Sequence, residues 1–192
     1  MTPRRLVVGL GNPGAAYART RHNVGEEAVV EVARRHGARL KPGRDEALVF
    51  EGRVAGCDVV LAFPTTFMNE SGRSVGKMMR RFGIAAPQDL VVVHDELDLA
   101  PGTVRVKAGG GLAGHNGLRS ITQHLGTQDY LRVRIGVGKP PHRDRGADHV
   151  LTRVPAAERT LLDVAVQEAA DAIEMVLTDG VDAAMQRFNA TR

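Results

Sequence analysis

The sequence is poor in thiols and in long apolar runs. Its 192 residues include one cysteine, Cys57. A lone thiol closes no internal disulfide and by itself builds no metal cluster; beside a strand-like run it reads as a buried structural thiol. No apolar stretch approaches the roughly 20 residues needed to cross a bilayer. The run after Arg4 and Arg5 is too short for a signal peptide. A cytoplasmic protein without a membrane partner is expected. Internal repeats and low-complexity segments are missing, and so is G-x-S-x-G, the turn that presents a serine nucleophile.

What is present is an ordinary folded balance, with 43% hydrophobic and 25% charged residues. That is enough for one sizeable core over 1–192. The net charge of +4 is unevenly spread. Between residues 101 and 150, eight Lys/Arg face three Asp, so this segment carries +5 and the rest of the chain −1. A localised basic stretch suits a polyanionic partner, although a solvated basic surface has the same signature.

Strand-like runs occupy Leu6–Val8, Leu48–Val54, Val59–Phe63, Leu90–Val93, Val104–Lys107 and Val133–Val137. Helical patterns alternate with them. Asn23 followed by Glu26 reads as a capped start to a helix through Arg35. Ser71–Phe82 is a second helix, and Asn116–Leu125 a third, stopped by Gly126. Pro155 opens a long one with Leu162, Val166, Ala169, Ile173 and Val176 on one face and Gly180 at its end. Val181–Phe188 closes the chain. This alternation predicts a single three-layer α/β/α domain around a twisted, mostly parallel mixed sheet, with an antiparallel edge at Val104–Lys107. Lys139–Asp148, rich in Pro, Arg and Gly, is the stretch expected to be mobile.

The segment GLGNPG, Gly9–Gly14, matches G-x-G-x-x-G after a strand. A dinucleotide site would need a helix to begin at the third glycine. Here no apolar helical stripe follows, and the first convincing helix begins near Asn23. The loop Asn12–His22 reads instead as the wall of a site. Three other loops also follow strands: PTTFMNESG, HDELDL and GGGLAGHNG. Open α/β sheets bind ligands beyond the carboxyl ends of their strands. Together these loops offer Asn12, His22, Asn69, Asp95, His115 and Asn116. That is a possible base, a carboxylate to orient it and several amides, without a nucleophile beside a base. The set suits activation of water. Each residue also has a plainer role: His22 as a loop histidine, Asn69 as a helix cap, Asp95 as a turn residue, Met68 as packing, His115 and Asn116 as a turn and an N-cap.

The stretches GLGNPGAAYARTRHNVG, PTTFMNESG, VVVHDELDLAPGTVRVK and GGGLAGHNGLRSITQHLG closely resemble the bacterial peptidyl-tRNA hydrolase family, in order and spacing, over essentially the whole chain. The chain departs from the family at Leu112-Ala113, where members often carry His-Gly, and at His149, where an aromatic is more usual. The resemblance implies hydrolysis of the ester between a peptide and the 3′-terminal ribose of tRNA, by a monomer without cofactor or metal. It implies His22 as general base, Asp95 as its partner, and Asn69 and Asn116 holding the substrate carbonyl or the water. Asn12 would bind the peptide side, Tyr17, Phe67 and Met68 would line the crevice, and His115 would lie near its wall. Lys107 and Arg134, with Arg105 nearby, would meet the 5′-phosphate region of tRNA. On the strands, Arg105 and Lys107 share one face, as do Arg132 and Arg134, so two basic pairs could clamp phosphate. Two other readings compete: an RNA-binding protein that has lost catalysis, and a nicotinamide-dependent oxidoreductase resting on GLGNPG alone.

Overall fold

The computed structural model describes residues 2–142 and 145–190. Seven strands form one sheet in the order β2-β3-β4-β1-β5-β7-β6. Its centre is parallel: β4 (Cys57–Pro64), β1 (Arg5–Gly9), β5 (Leu90–Glu96) and β7 (Leu131–Gly136). On one side β3 (Ala47–Val54) and the short β2 (Lys41–Pro42) run antiparallel; on the other, β6 (Val104–Ala108) pairs antiparallel with β7. The antiparallel edge expected at Val104–Lys107 is therefore present. A second antiparallel element is the β3–β4 hairpin. Its two-residue turn places Ala55 (φ 51°) and Gly56 (φ 79°) both in left-handed backbone, the geometry that matches the natural twist of a hairpin.

The period-2 alternation of the strands sorts the core into two layers. Val7, Val91, Val93, Val133 and Ile135 face α1 (Val24–Arg35), α5 (Ala156–Asp179) and α6 (Val181–Phe188). Leu6, Val8, Val60, Val92 and Tyr130 face α2 (Ser71–Arg81) and α3 (Asn116–Leu125). Burying an aliphatic side chain contributes about 1.5–3 kcal/mol, so each layer holds its helices firmly. Cys57 is half-buried, not buried, and its thiol lies 3.2 Å from the Leu177 carbonyl. Among the described residues, no helix is long and apolar enough to cross a membrane.

Two features of the local structure position the site. The first is the close approach of α1 to the strand ends. A Cβ on Gly9 would come 2.4 Å from the Gly25 carbonyl oxygen, and one on Gly25 would come 2.1 Å from that of Val93. Only glycine permits that contact. The glycines of the first loop thus serve helix–sheet packing. No helix begins at Gly14; α1 begins at Val24. The second is the length of β5. The strand runs three residues beyond Val93, and period 2 buries His94, Asp95 and Glu96 on alternating faces at its carboxyl end. Of the segment expected to be mobile, Arg143 and Asp144 lie outside the described residues, while Gly146–Leu151 forms a short helix, α4.

Candidate active site

A cleft of about 310 Å³ opens at the carboxyl end of β5, lined by His22, Asp95, His115, Asn116 and, from α4, Ala147 and Val150. Asp95 is 2% exposed and serves two imidazoles at once. Its Oδ2 lies 2.8 Å from His22 Nδ1, and its Oδ1 2.7 Å from His115 Nε2. His22 sits in a single 3-10 turn, Arg21–Asn23, directly before α1. The glycine contacts described above press that turn onto β5.

The protons of this triad follow from its neighbours. His115 is the N-cap of α3, and its Nδ1 accepts from the amides of Gly117 (3.1 Å) and Leu118 (3.3 Å). A neutral His115 must then carry its proton on Nε2 and donate it to Asp95. With Oδ1 satisfied, Oδ2 accepts from His22 Nδ1–H, which leaves the lone pair on His22 Nε2. His94 completes the cluster. Its Nδ1–H donates to the Asp95 carbonyl at 2.7 Å, and burial lowers its pKa to about 3, so it is neutral. Burial also pulls the His22 pKa down, but the charge and hydrogen bond of Asp95 outweigh it and hold it above the usual histidine value. Asp95 is buried, which disfavours its charge. The two histidines on it prevail and keep its carboxyl well below the ordinary range.

His22, Asp95 and His115 bring three potential metal-ligand atoms within 4.8 Å of one another. Ligation through His115 Nε2 would put a proton on Nδ1, facing two amide N–H groups. The donor set therefore fits a hydrogen-bonded relay and not a metal.

The amides form a second cluster. The Asn23 side chain grips the backbone of Asn12 on both sides: its Oδ1 accepts from Asn12 N–H (2.8 Å), and its Nδ2 donates to the Asn12 carbonyl (2.9 Å). Asn23 thus does not cap α1 with its side chain, as its sequence position suggests, but holds the loop instead. The Asn12 Oδ1 accepts from Met68 N–H at 2.7 Å, so Nδ2 is the group Asn12 has left to offer. Met68 is buried, and its sulfur would come 2.6 Å from a Cβ on Gly117. Next to it, Asn69 is exposed, and Phe67 (54% exposed) meets Tyr17 edge-on at 6.4 Å. Asn116 is exposed at the start of α3.

Arg21, unremarked in the sequence, ties this site to its cover. It is buried and forks onto Glu158 of α5 (Nε 3.0 Å, Nη2 2.8 Å), while Nη1 donates to the His149 carbonyl in α4 (2.9 Å). His149 Nε2 in turn lies 3.1 Å from the Gly138 carbonyl beyond β7. Ala113, at one of the family departures, has φ 50°, a backbone that favours glycine.

The basic residues separate. Arg132 is fully buried. It donates to the carbonyls of Gly110, Gly111 and Gln128 and stacks over Tyr130 at 4.6 Å. It pins the glycine loop and is not half of a phosphate clamp. Arg105 donates to the Phe188 carbonyl at 3.1 Å and lines a different hollow of about 760 Å³ between β6 and α5–α6. Lys107 crosses over Gly110, and Arg134 Nη1 stands 3.7 Å from Glu96. These two remain on the side of the glycine loop and the cleft.

The profile of the peptidyl-tRNA hydrolase family matches residues 6–192. The chain belongs to that family. It is 51% identical to a peptidyl-tRNA hydrolase of Frankia alni, over 96% of this chain and 93% of that one. It is 47% identical to one of Cutibacterium acnes, over 99% and 100%. Among solved structures, the peptidyl-tRNA hydrolase of Acinetobacter baumannii superposes with a TM-score of 0.92 at 41% identity, covering 98% of this chain and 95% of that one. Fold and sequence thus assign the same family, and the relay geometry lies within the segments that carried the resemblance.

Proposed function

We propose that this protein hydrolyses the ester joining the peptide to the 3′-terminal ribose of peptidyl-tRNA, releasing free tRNA and peptide. The observation that carries this reading is the His22–Asp95–His115 relay, which leaves a lone pair on His22 Nε2 in the cleft. In the mechanism, His22 Nε2 takes a proton from water as its oxygen attacks the ester carbonyl. Asp95 holds the proton on Nδ1 and stabilises the imidazolium that forms. The carbonyl oxygen becomes negative in the tetrahedral state, where fixed amide donors help most; Asn69 and Asn116 serve there. Collapse breaks the bond to the ribose oxygen, which receives the proton from His22. Asn12 Nδ2 donates to the peptide, while Tyr17, Phe67 and Met68 form the adjoining wall.

Lys107 and Arg134 contact phosphates of the tRNA, consistent with the +5 segment that contains them. We read the protein as a cytoplasmic monomer. The relay favours a hydrolase over an RNA-binding protein without catalysis, because binding alone requires no ordered base. The deciding assay incubates the protein with an N-acylaminoacyl-tRNA and follows release of the acylamino acid. Release supports hydrolysis; tight tRNA binding without release would leave only the binding reading.

A further inference from the structure

The Asn23 amide that clamps Asn12 is itself held from below. Its Nδ2 has two hydrogens, one on the Asn12 carbonyl and the other on Glu26 Oε2 at 3.0 Å. If the amide flipped, its oxygen would face both the carbonyl and the carboxylate, and its N–H₂ would face the Asn12 N–H. Glu26 therefore reinforces the one orientation that fits the Asn12 backbone. The same carboxylate fills the space beneath the glycine loop, where a Cβ on Gly11 would come 2.7 Å from Oε2. The Glu26 amide also donates to the Leu10 carbonyl at 3.1 Å.

We propose that Glu26 is a positioning residue of the site: through Asn23 it fixes the backbone of Asn12 and so sets the pose of the amide that receives the peptide end of the substrate. This rests on the reading of Asn12 as a substrate contact. Glu26 is otherwise an odd choice for its place. Burial, followed by the neighbouring charge of Glu27, raises its pKa to about 7, and the Asn23 hydrogen bond is the influence that favours the ionised form. The Gly9–Asn12 segment packed on it carries no charge, and Glu27 points its carboxylate to Arg159 and Arg19. The clamp is accordingly tightest when Glu26 is ionised.

The test compares the wild type, E26A, E26Q, N12A and E26A/N12A on one N-acylaminoacyl-tRNA between pH 6 and 8. Losing a hydrogen bond of this kind predicts a KM about threefold to tenfold higher for E26A, with kcat changed less than about twofold. E26Q, whose amide oxygen accepts from Asn23 without the charge, should fall between E26A and the wild type, near the wild-type KM at pH 6. The wild-type KM should fall as pH rises through about 7, a step absent from E26Q. The double variant should bind no worse than N12A. If N12A leaves KM unchanged, the reading of Asn12 fails and the proposal falls with it. If N12A raises KM but E26A does not, or if E26A loses only thermal stability, the proposal alone is overturned.

Discussion

At the scale of single residues, the proposed mechanism turns on one carboxylate between two rings. His22→Ala removes the proposed base and should lower turnover on the order of 10²–10⁴-fold, with little change in tRNA affinity. Asp95→Asn keeps the size but turns an amide toward the rings, and should lose about as much. The double variant His22→Ala/Asp95→Asn should be scarcely worse than His22→Ala, because residues that act as one unit are not additive. A four-enzyme cycle on one peptidyl-tRNA checks this; losses that multiply would show Asp95 acting apart from His22. The sign of the pH dependence follows from the raised His22 pKa. A general base at His22 works when neutral, so the proposed mechanism predicts that kcat/KM rises with pH through that raised value. Removing the Asp95 charge should move the acid limb to lower pH. The contribution of the pair to stability has the opposite sense on the histidine side. It is complete below the unfolded histidine value and fades as pH climbs through the folded one. On the carboxyl side, where the folded pKa is depressed, it fades as pH falls through the acid range.

At the scale of elements, the glycine loop and α3 form one device. Arg132, buried on β7, holds the loop by its carbonyls; the loop delivers His115 to the start of α3; two amides of α3 then set the tautomer that satisfies Asp95. Lysine cannot reproduce the guanidinium fork. Arg132→Lys should therefore cost about 2–4 kcal/mol in stability, because buried carbonyls lose their donors. A urea titration measures this, and turnover should fall along with it. An unchanged urea midpoint would mean that the loop is held by its own backbone instead.

For the whole molecule, the proposed contact with tRNA rests on where the cations end up. Lys107→Ala and Arg134→Ala should each weaken binding and flatten its dependence on salt by about one unit of logarithmic slope. Hydrolysis of a minimal ester substrate without the tRNA body should be nearly unaffected. Equal losses on both substrates would mean that these residues support the fold or the chemistry. Arg105→Ala should leave the salt slope alone, since its guanidinium is tied to the Phe188 carbonyl away from the cleft.

Local sequence sets the elements and the chemical inventory. Periodicity is a local property, so β1, α2, α3 and α5 are legible from apolar spacing and caps, and Asp95 is legible as a polar residue ending an apolar strand. Four linked motifs then carried the family. Side-chain partners are a different matter, because each polar residue has several chemically equal uses and only three-dimensional placement selects one. Asn23 and Glu26 have the spacing of a helix cap, yet the close packing of Gly9 on Gly25 brings the Asn12 backbone within reach of Asn23 and redirects it. Arg132 and Arg134 alternate identically along β7, but the covering glycine loop buries one and leaves the other at Glu96. The β3–β4 hairpin reads locally as two strands, and its antiparallel sense depends on a turn with two left-handed residues, one of them alanine. The relay itself joins positions 22, 95 and 115. Their contact arises only where β5, the 3-10 turn before α1 and the cap of α3 converge on one end of the sheet.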